Sequence, residues 1–151
     1  MANQKLTALM RMPIAGLLAW LVPGLGHIFL GHRARGILCL VTITVTFWTG
    51  VAIGGVRETI DPNERTLWFI AQLCNAGNTV AGYALHRGVA AGESRDDPPP
   101  VPGHWASVDV GVHYTGVAGL LNLLVIFDAV ARAEPSSARK RKKREPQERM
   151  P

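Results

Sequence analysis

The sequence predicts an all-α membrane protein, a four-helix transmembrane bundle with a disordered basic C-terminal tail. Three observations predict it. Four blocks of roughly 20 residues are nearly free of charge, and about 20 apolar residues cross the roughly 30 Å of bilayer hydrocarbon. Within each block the apolar residues run on instead of alternating with a charged face, as they would in a soluble core helix. The formal charge of +5 comes from the region beginning at Arg132, which holds eight basic and three acidic residues. The chain has 151 residues, and four such blocks leave too little polar surface for a soluble fold.

Each element follows in order. Residues 1–12 are a short polar lead to a four-span domain at 13–133. The first span covers about 13–31. Lys5 and Arg11 ahead of "IAGLLAWLV" imitate a secretory signal, but no small-x-small cleavage site follows, so this is an uncleaved span. Pro23 removes a backbone donor and predicts a kink. Gly24 and Gly26 admit a close helical neighbour, and Gly31 and Gly36 bracket a tight reversal. The second span, about 36–56, carries a G-x-x-x-G step at Gly50 and Gly54, a contact face within the bundle or between chains. "RETIDPNER" follows, with an Asp-Pro turn signal.

The third span covers about 66–86 and carries Gln72, Asn75 and Asn78 on one broad face. The prolines of "ESRDDPPPVPG" exclude a helix and favour an extended connection. Trp105 suits the membrane interface. The fourth span, about 112–132, carries Asn122 and Asp128. The tail, 134–151, has too little apolar surface to fold alone.

Basic flanks stay in the cytoplasm. With four spans and both termini inside, twelve basic residues lie inside, including Arg57 and Arg65, and four lie outside: Arg33, Arg35, Arg87 and Arg95. A three-span alternative makes the first block a re-entrant hairpin broken at Pro23 and divides the same residues ten to six. Four spans are preferred, although Arg33 and Arg35 fit an outer loop poorly.

Depth along the spans predicts which polar groups meet. Asn75 and Asn122 fall at similar depth, so their amides are expected to bond across spans three and four, at about 0.6 kcal/mol per bond. His27 is placed toward the outer face and Asp128 one turn from the inner face, so they are not expected to couple. Asp128 is expected to pair with Arg132, four residues on.

No catalytic or metal-binding set is legible. Cys39 and Cys74 fall inside spans, which argues against a disulfide framework, and with the five histidines they make no zinc spacing. No nucleotide loop, nucleophile–base set or HExxH motif occurs, and His104, Asp109 and His113 form no catalytic spacing. Neither an enzyme nor a cofactor is expected. The expected partners are the bilayer and, for the run Arg139, Lys140, Arg141, Lys142, Lys143 and Arg144, anionic lipid headgroups. A second copy or another membrane protein is the remaining candidate partner. Nucleic acid is not expected, because no aromatic residue interleaves the basic run.

"PGLGHIFLGHRARGIL" resembles the signature of the TM-two domain family, small membrane modules built as a helical hairpin. Phe29-Leu30-Gly31 and Gly36-Ile37-Leu38 match its spacing. His27 lies one residue closer to Leu30-Gly31 than the family's histidine, and Ile28 stands where a second aromatic is usual. The family's Asp near the end of its second helix has no counterpart in span two; Asp128 is the nearest in kind. The combination of "PGLGH" with a late "AGLLNLLVIFDA" helix is similar to an uncharacterised bacterial group of multi-pass membrane proteins, a domain of unknown function. That likeness covers 15–38 and 118–133. It implies a bacterial inner-membrane protein and names no substrate. The expected role is scaffold, assembly or envelope accessory through packing and partner binding; the alternative is a subunit of an oligomeric transporter or channel.

Overall fold

The computed structural model describes residues 2–60, 66–92 and 106–133. These form seven helices, with no strand among the described residues: α1 Ala2–Leu21, α2 Leu25–Phe29, α3 Arg33–Gly54, α4 Val56–Thr59, α5 Thr66–Leu73, α6 Ala76–Ala91 and α7 Ala106–Ala133. The expected polar lead is therefore helical from Ala2 and continuous with the first apolar block. The basic tail lies outside the described residues.

Two helices, α3 and α7, are long and apolar enough to cross a membrane. At 1.5 Å per residue they measure about 33 and 42 Å. They pack antiparallel through glycine. A Cβ on Gly50 would sit 2.7 Å from the Gly111 carbonyl oxygen, and one on Gly111 would sit 2.7 Å from Gly54 Cα, so the two backbones touch. The G-x-x-x-G step of the second block is thus an internal face that holds α3 on α7. Ile43, Phe47 and Val51 of α3 bury with Ala118 and Ile60 beside this seam.

The other two apolar blocks are interrupted, and each folds back on itself. Along α1, Gly16 faces Val130 and the Ala19 carbonyl meets Asn122, so α1 runs antiparallel to α7 from its C-terminal end. The helix stops at Leu21. Pro23 cannot donate a backbone hydrogen bond, and Gly24 takes φ +79°, where a Cβ would also strike the Gly36 carbonyl. The chain then returns: Gly26 of α2 packs on Ala15, Ala19 and Ala129. A second positive φ, at Gly31, feeds α3. The first block is therefore a half-depth hairpin, and α3 starts at the end where α1 started.

The third block does the same from the opposite end. Trp68, Ala71 and Cys74 meet Gly116, Gly119 and Asn122 in turn, so α5 runs alongside α7 in the same direction. At Asn75 the backbone leaves helical angles, with φ −118° and ψ 63°. Thr79 then reaches back to the Gln72 carbonyl, and Gly82 of α6 packs on Ile60, the residue after α4. The third block is a second half-depth hairpin. The four uninterrupted spans expected from block length are thus two long helices and two hairpins, because an apolar run of crossing length does not specify that its halves stay collinear.

Polar side chains share the interior with the apolar cluster, while large apolar side chains lie on the surface. Asn75 and Asn122 are fully buried, whereas Leu67, Leu38 and Leu124 are 83%, 68% and 64% exposed. Only 28% and 39% of the apolar windows of α3 and α7 are buried, unlike the core helices of a soluble protein.

The seam between α3 and α7 can be tested directly. Gly111→Val should lower stability by about 1–3 kcal/mol, the usual cost of overpacking, measured by unfolding in detergent. An unchanged midpoint would contradict the backbone contact at Gly50 and Gly54.

Candidate functional site

A helix that breaks inside a protein leaves carbonyls without i+4 donors, and the two hairpin tips each leave several. They face each other beside the middle of α7. Gly77, in the first turn of α6, lies against the Leu21 carbonyl at the end of α1. Asn122 sits 16 residues into α7, about 24 Å from Ala106 at the helical rise. Its Nδ2 donates to the Ala19 carbonyl at 3.0 Å and to the Cys74 carbonyl at 2.9 Å. One amide therefore clasps both tips to the same long helix. Trp20 Nε1 donates to the Leu73 carbonyl at 2.9 Å and links the tips directly.

The remaining polar groups extend this junction toward α4. Thr79 Oγ1 donates to the Gln72 carbonyl at 2.6 Å. Gln72 Nε2 donates to the Thr59 carbonyl at 3.0 Å and to Thr115 Oγ1 at 2.8 Å. Asn78 Nδ2 donates to Asn75 Oδ1 at 3.1 Å, and Trp48 Nε1 donates to Asn78 Oδ1 at 3.2 Å. All of these are neutral groups. Their energetic logic is shared: a buried carbonyl left unpaired costs more than a made bond gains.

A second polar cluster lies at the C-terminal end of α7. His27 is buried, and its Nε2 lies 2.8 Å from Asp128 Oδ2. A carboxylate only accepts, so Nε2 carries the proton. Arg132 Nε donates to the same oxygen at 2.7 Å. The Arg132 pairing matches expectation, but the separation of His27 from Asp128 does not. The depth argument assumed a straight first span; the reversal at Pro23 and Gly24 returns His27 to the end that holds Asp128.

The structure also redistributes the expected amide layer. Asn75 and Asn122 both lie at the junction, yet no bond joins their side chains among the described residues. Asn122 uses its donors on backbone, and Asn75 accepts from Asn78. Trp20, Thr59, Thr79 and Thr115 complete the junction without having been singled out. A hydroxyl or indole in an apolar run is a weak sign by itself; Trp20 and Thr79 are marked by bonds to broken backbone, and Thr59 and Thr115 by their bonds with the Gln72 amide. Gly36 lies against Ile28 and Gly24, while Gly31 has open space around it. Cys39 and Cys74 are free thiols. Among the described residues no group of three His, Cys, Asp or Glu side chains could hold a metal ion.

These features define a class: a small helical protein with two long apolar helices and two broken ones that meet tip to tip. Residues 14–144 match DUF6677, a family of unknown function, and the chain belongs to that family. No curated protein and no solved structure matches it significantly.

Asn122→Leu should cost about 2 kcal/mol or more, since it leaves two buried carbonyls unpaired at about 1–3 kcal/mol each, read as a lower unfolding midpoint in detergent. A native midpoint would show that the clasp does not hold the tips. A double-mutant cycle on His27→Ala and Asp128→Ala should give a coupling of about 0.5–3 kcal/mol; strict additivity would mean that the 2.8 Å contact carries no energy.

Proposed function

We propose that the chain is an integral inner-membrane protein of a bacterium, with two crossings and two re-entrant hairpins, which serves as a scaffold or assembly module rather than an enzyme. The distribution of polarity supports membrane residence, since leucines and valines coat the surface while the amides of Gln72, Asn75 and Asn122 are buried. The observation that carries the scaffold reading is the use of Asn122, Gln72, Thr79 and Trp20 to satisfy broken backbone. Their polarity serves the fold, and partner binding is left to the lipid-facing surface and the ends.

The hairpins also favour one orientation for the charge pattern. Each hairpin leaves from the end it entered. Arg33 and Arg35 therefore share an end with Lys5, Arg11, Arg132 and the seven basic residues after Ala133, which assigns twelve of the sixteen basic residues to one side. Arg57, Arg65, Arg87 and Arg95 take the other side. Under the positive-inside rule the twelve are cytoplasmic, with both termini. This keeps the ratio of the four-span arrangement and removes its awkward outer pair, Arg33 and Arg35.

A second reading, an oligomeric transporter or channel subunit, draws on a different observation. Interrupted helices whose ends meet at mid-depth are how many transporters build substrate sites. Reconstitution with solute-flux assays separates it from the scaffold, which should instead retain a partner in mild detergent.

Reporter fusions at residue 60, at residue 100 and at the C-terminus should read outside, outside and inside. An inside reading at residue 60 would restore four spans. The tail is proposed to hold anionic headgroups. A peptide of residues 134–151 should bind anionic vesicles, ignore neutral ones and leave in high salt. Equal binding to both vesicle types would refute an electrostatic attraction.

A further inference from the structure

Four buried polar atoms of the junction have no hydrogen-bond partner among the described residues: Thr59 Oγ1, Gln72 Oε1, Asn75 Nδ2 and Asn122 Oδ1. Their residues are at most 3% exposed. They are not scattered. Gln72 bonds the Thr59 carbonyl, Thr79 of α6 bonds the Gln72 carbonyl, and Asn122 bonds the carbonyl of Cys74, next to Asn75. The four residues therefore adjoin one another from α4, at the end of α3, to mid-depth on α7. The clasp fixes the amide of Asn122: both acceptors of its Nδ2 are carbonyls, so Oδ1 must face away from them. Gln72 is fixed in the same way by the Thr59 carbonyl.

The chemistry of the four atoms selects an occupant. Gln72 and Asn122 offer acceptors, Asn75 offers donors, and Thr59 offers both. A cation would meet the amide hydrogens of Asn75, and an anion would meet two carbonyl oxygens. An apolar molecule would satisfy none of them. We infer that these atoms line an internal hydration track, occupied by water, that runs from the α4 end to Asn122. Buried water takes this role where polar groups lack protein partners.

The inference rests on the membrane reading, and one experiment separates them. The full chain, labelled with 15N and reconstituted in bilayers, is measured by magic-angle-spinning NMR with polarisation transferred from water. The side-chain amides of Gln72, Asn75 and Asn122 should build up severalfold faster than the backbone amides of Phe47 and Ala118, which are buried among apolar groups. Thr59→Val removes one track atom without changing side-chain shape and should slow the build-up at Gln72. Asn75→Leu, whose missing signals assign that amide, should slow it at Asn122; if this variant does not fold, Thr59→Val and the native chain decide. Build-up as slow as at Phe47 in a chain that alkaline carbonate leaves in the membrane overturns the inference alone. Release of the chain by carbonate overturns the membrane reading and this inference with it.

Discussion

The carbonyls of Ala19 and Cys74 belong to two different broken helices, and the amide of Asn122 donates to both. The rest of the structure depends on that arrangement. Backbone that leaves the helix in a low-dielectric interior must find new donors within the protein. A straight span satisfies itself. A half-depth hairpin does not, so it exists only where a neighbour supplies side chains at the level of the break. Helix α7 supplies one at Asn122, which serves both breaks, and the hairpins are linked directly through Trp20.

Close packing makes this exchange possible. Side-chain amides are short, and a donor on α7 reaches two other backbones only if all three lie together. Glycines allow it at each contact: Gly50 and Gly54 against Gly111, Gly77 against the Leu21 carbonyl, Gly119 against the Ala71 carbonyl. On the membrane reading no hydrophobic force draws apolar helices together in lipid, so such approach and the bonds it permits become the main cohesive terms. Many large aliphatic side chains lie on the surface. The His27–Asp128–Arg132 cluster adds a third attachment, fixing the return limb of the first hairpin to the far end of α7.

Much of this was legible in the chain. Block lengths gave the apolar elements, Gly50 and Gly54 gave a packing face, and Asp128 with Arg132 gave an ion pair. Pro23 and Gly24 made a re-entrant first block a visible alternative. The second hairpin was hidden. "QLCNAGN" holds no proline, and its lone glycine, Gly77, is ordinary in an apolar helix. The break at Asn75 is stabilised by groups remote in sequence: Asn122 lies 48 residues beyond Cys74. Local propensity cannot report a donor that far away. The same blindness misplaced His27, since depth counted along a sequence is valid only while the helix continues.

The clasp also has a place in time. Asn122 is synthesised after the carbonyls it serves, which lie in the first and third apolar blocks. Until α7 emerges, both breaks lack their shared donor. The two hairpins are therefore completed only when this later helix packs against them: a later segment of the chain fixes the conformation of earlier ones.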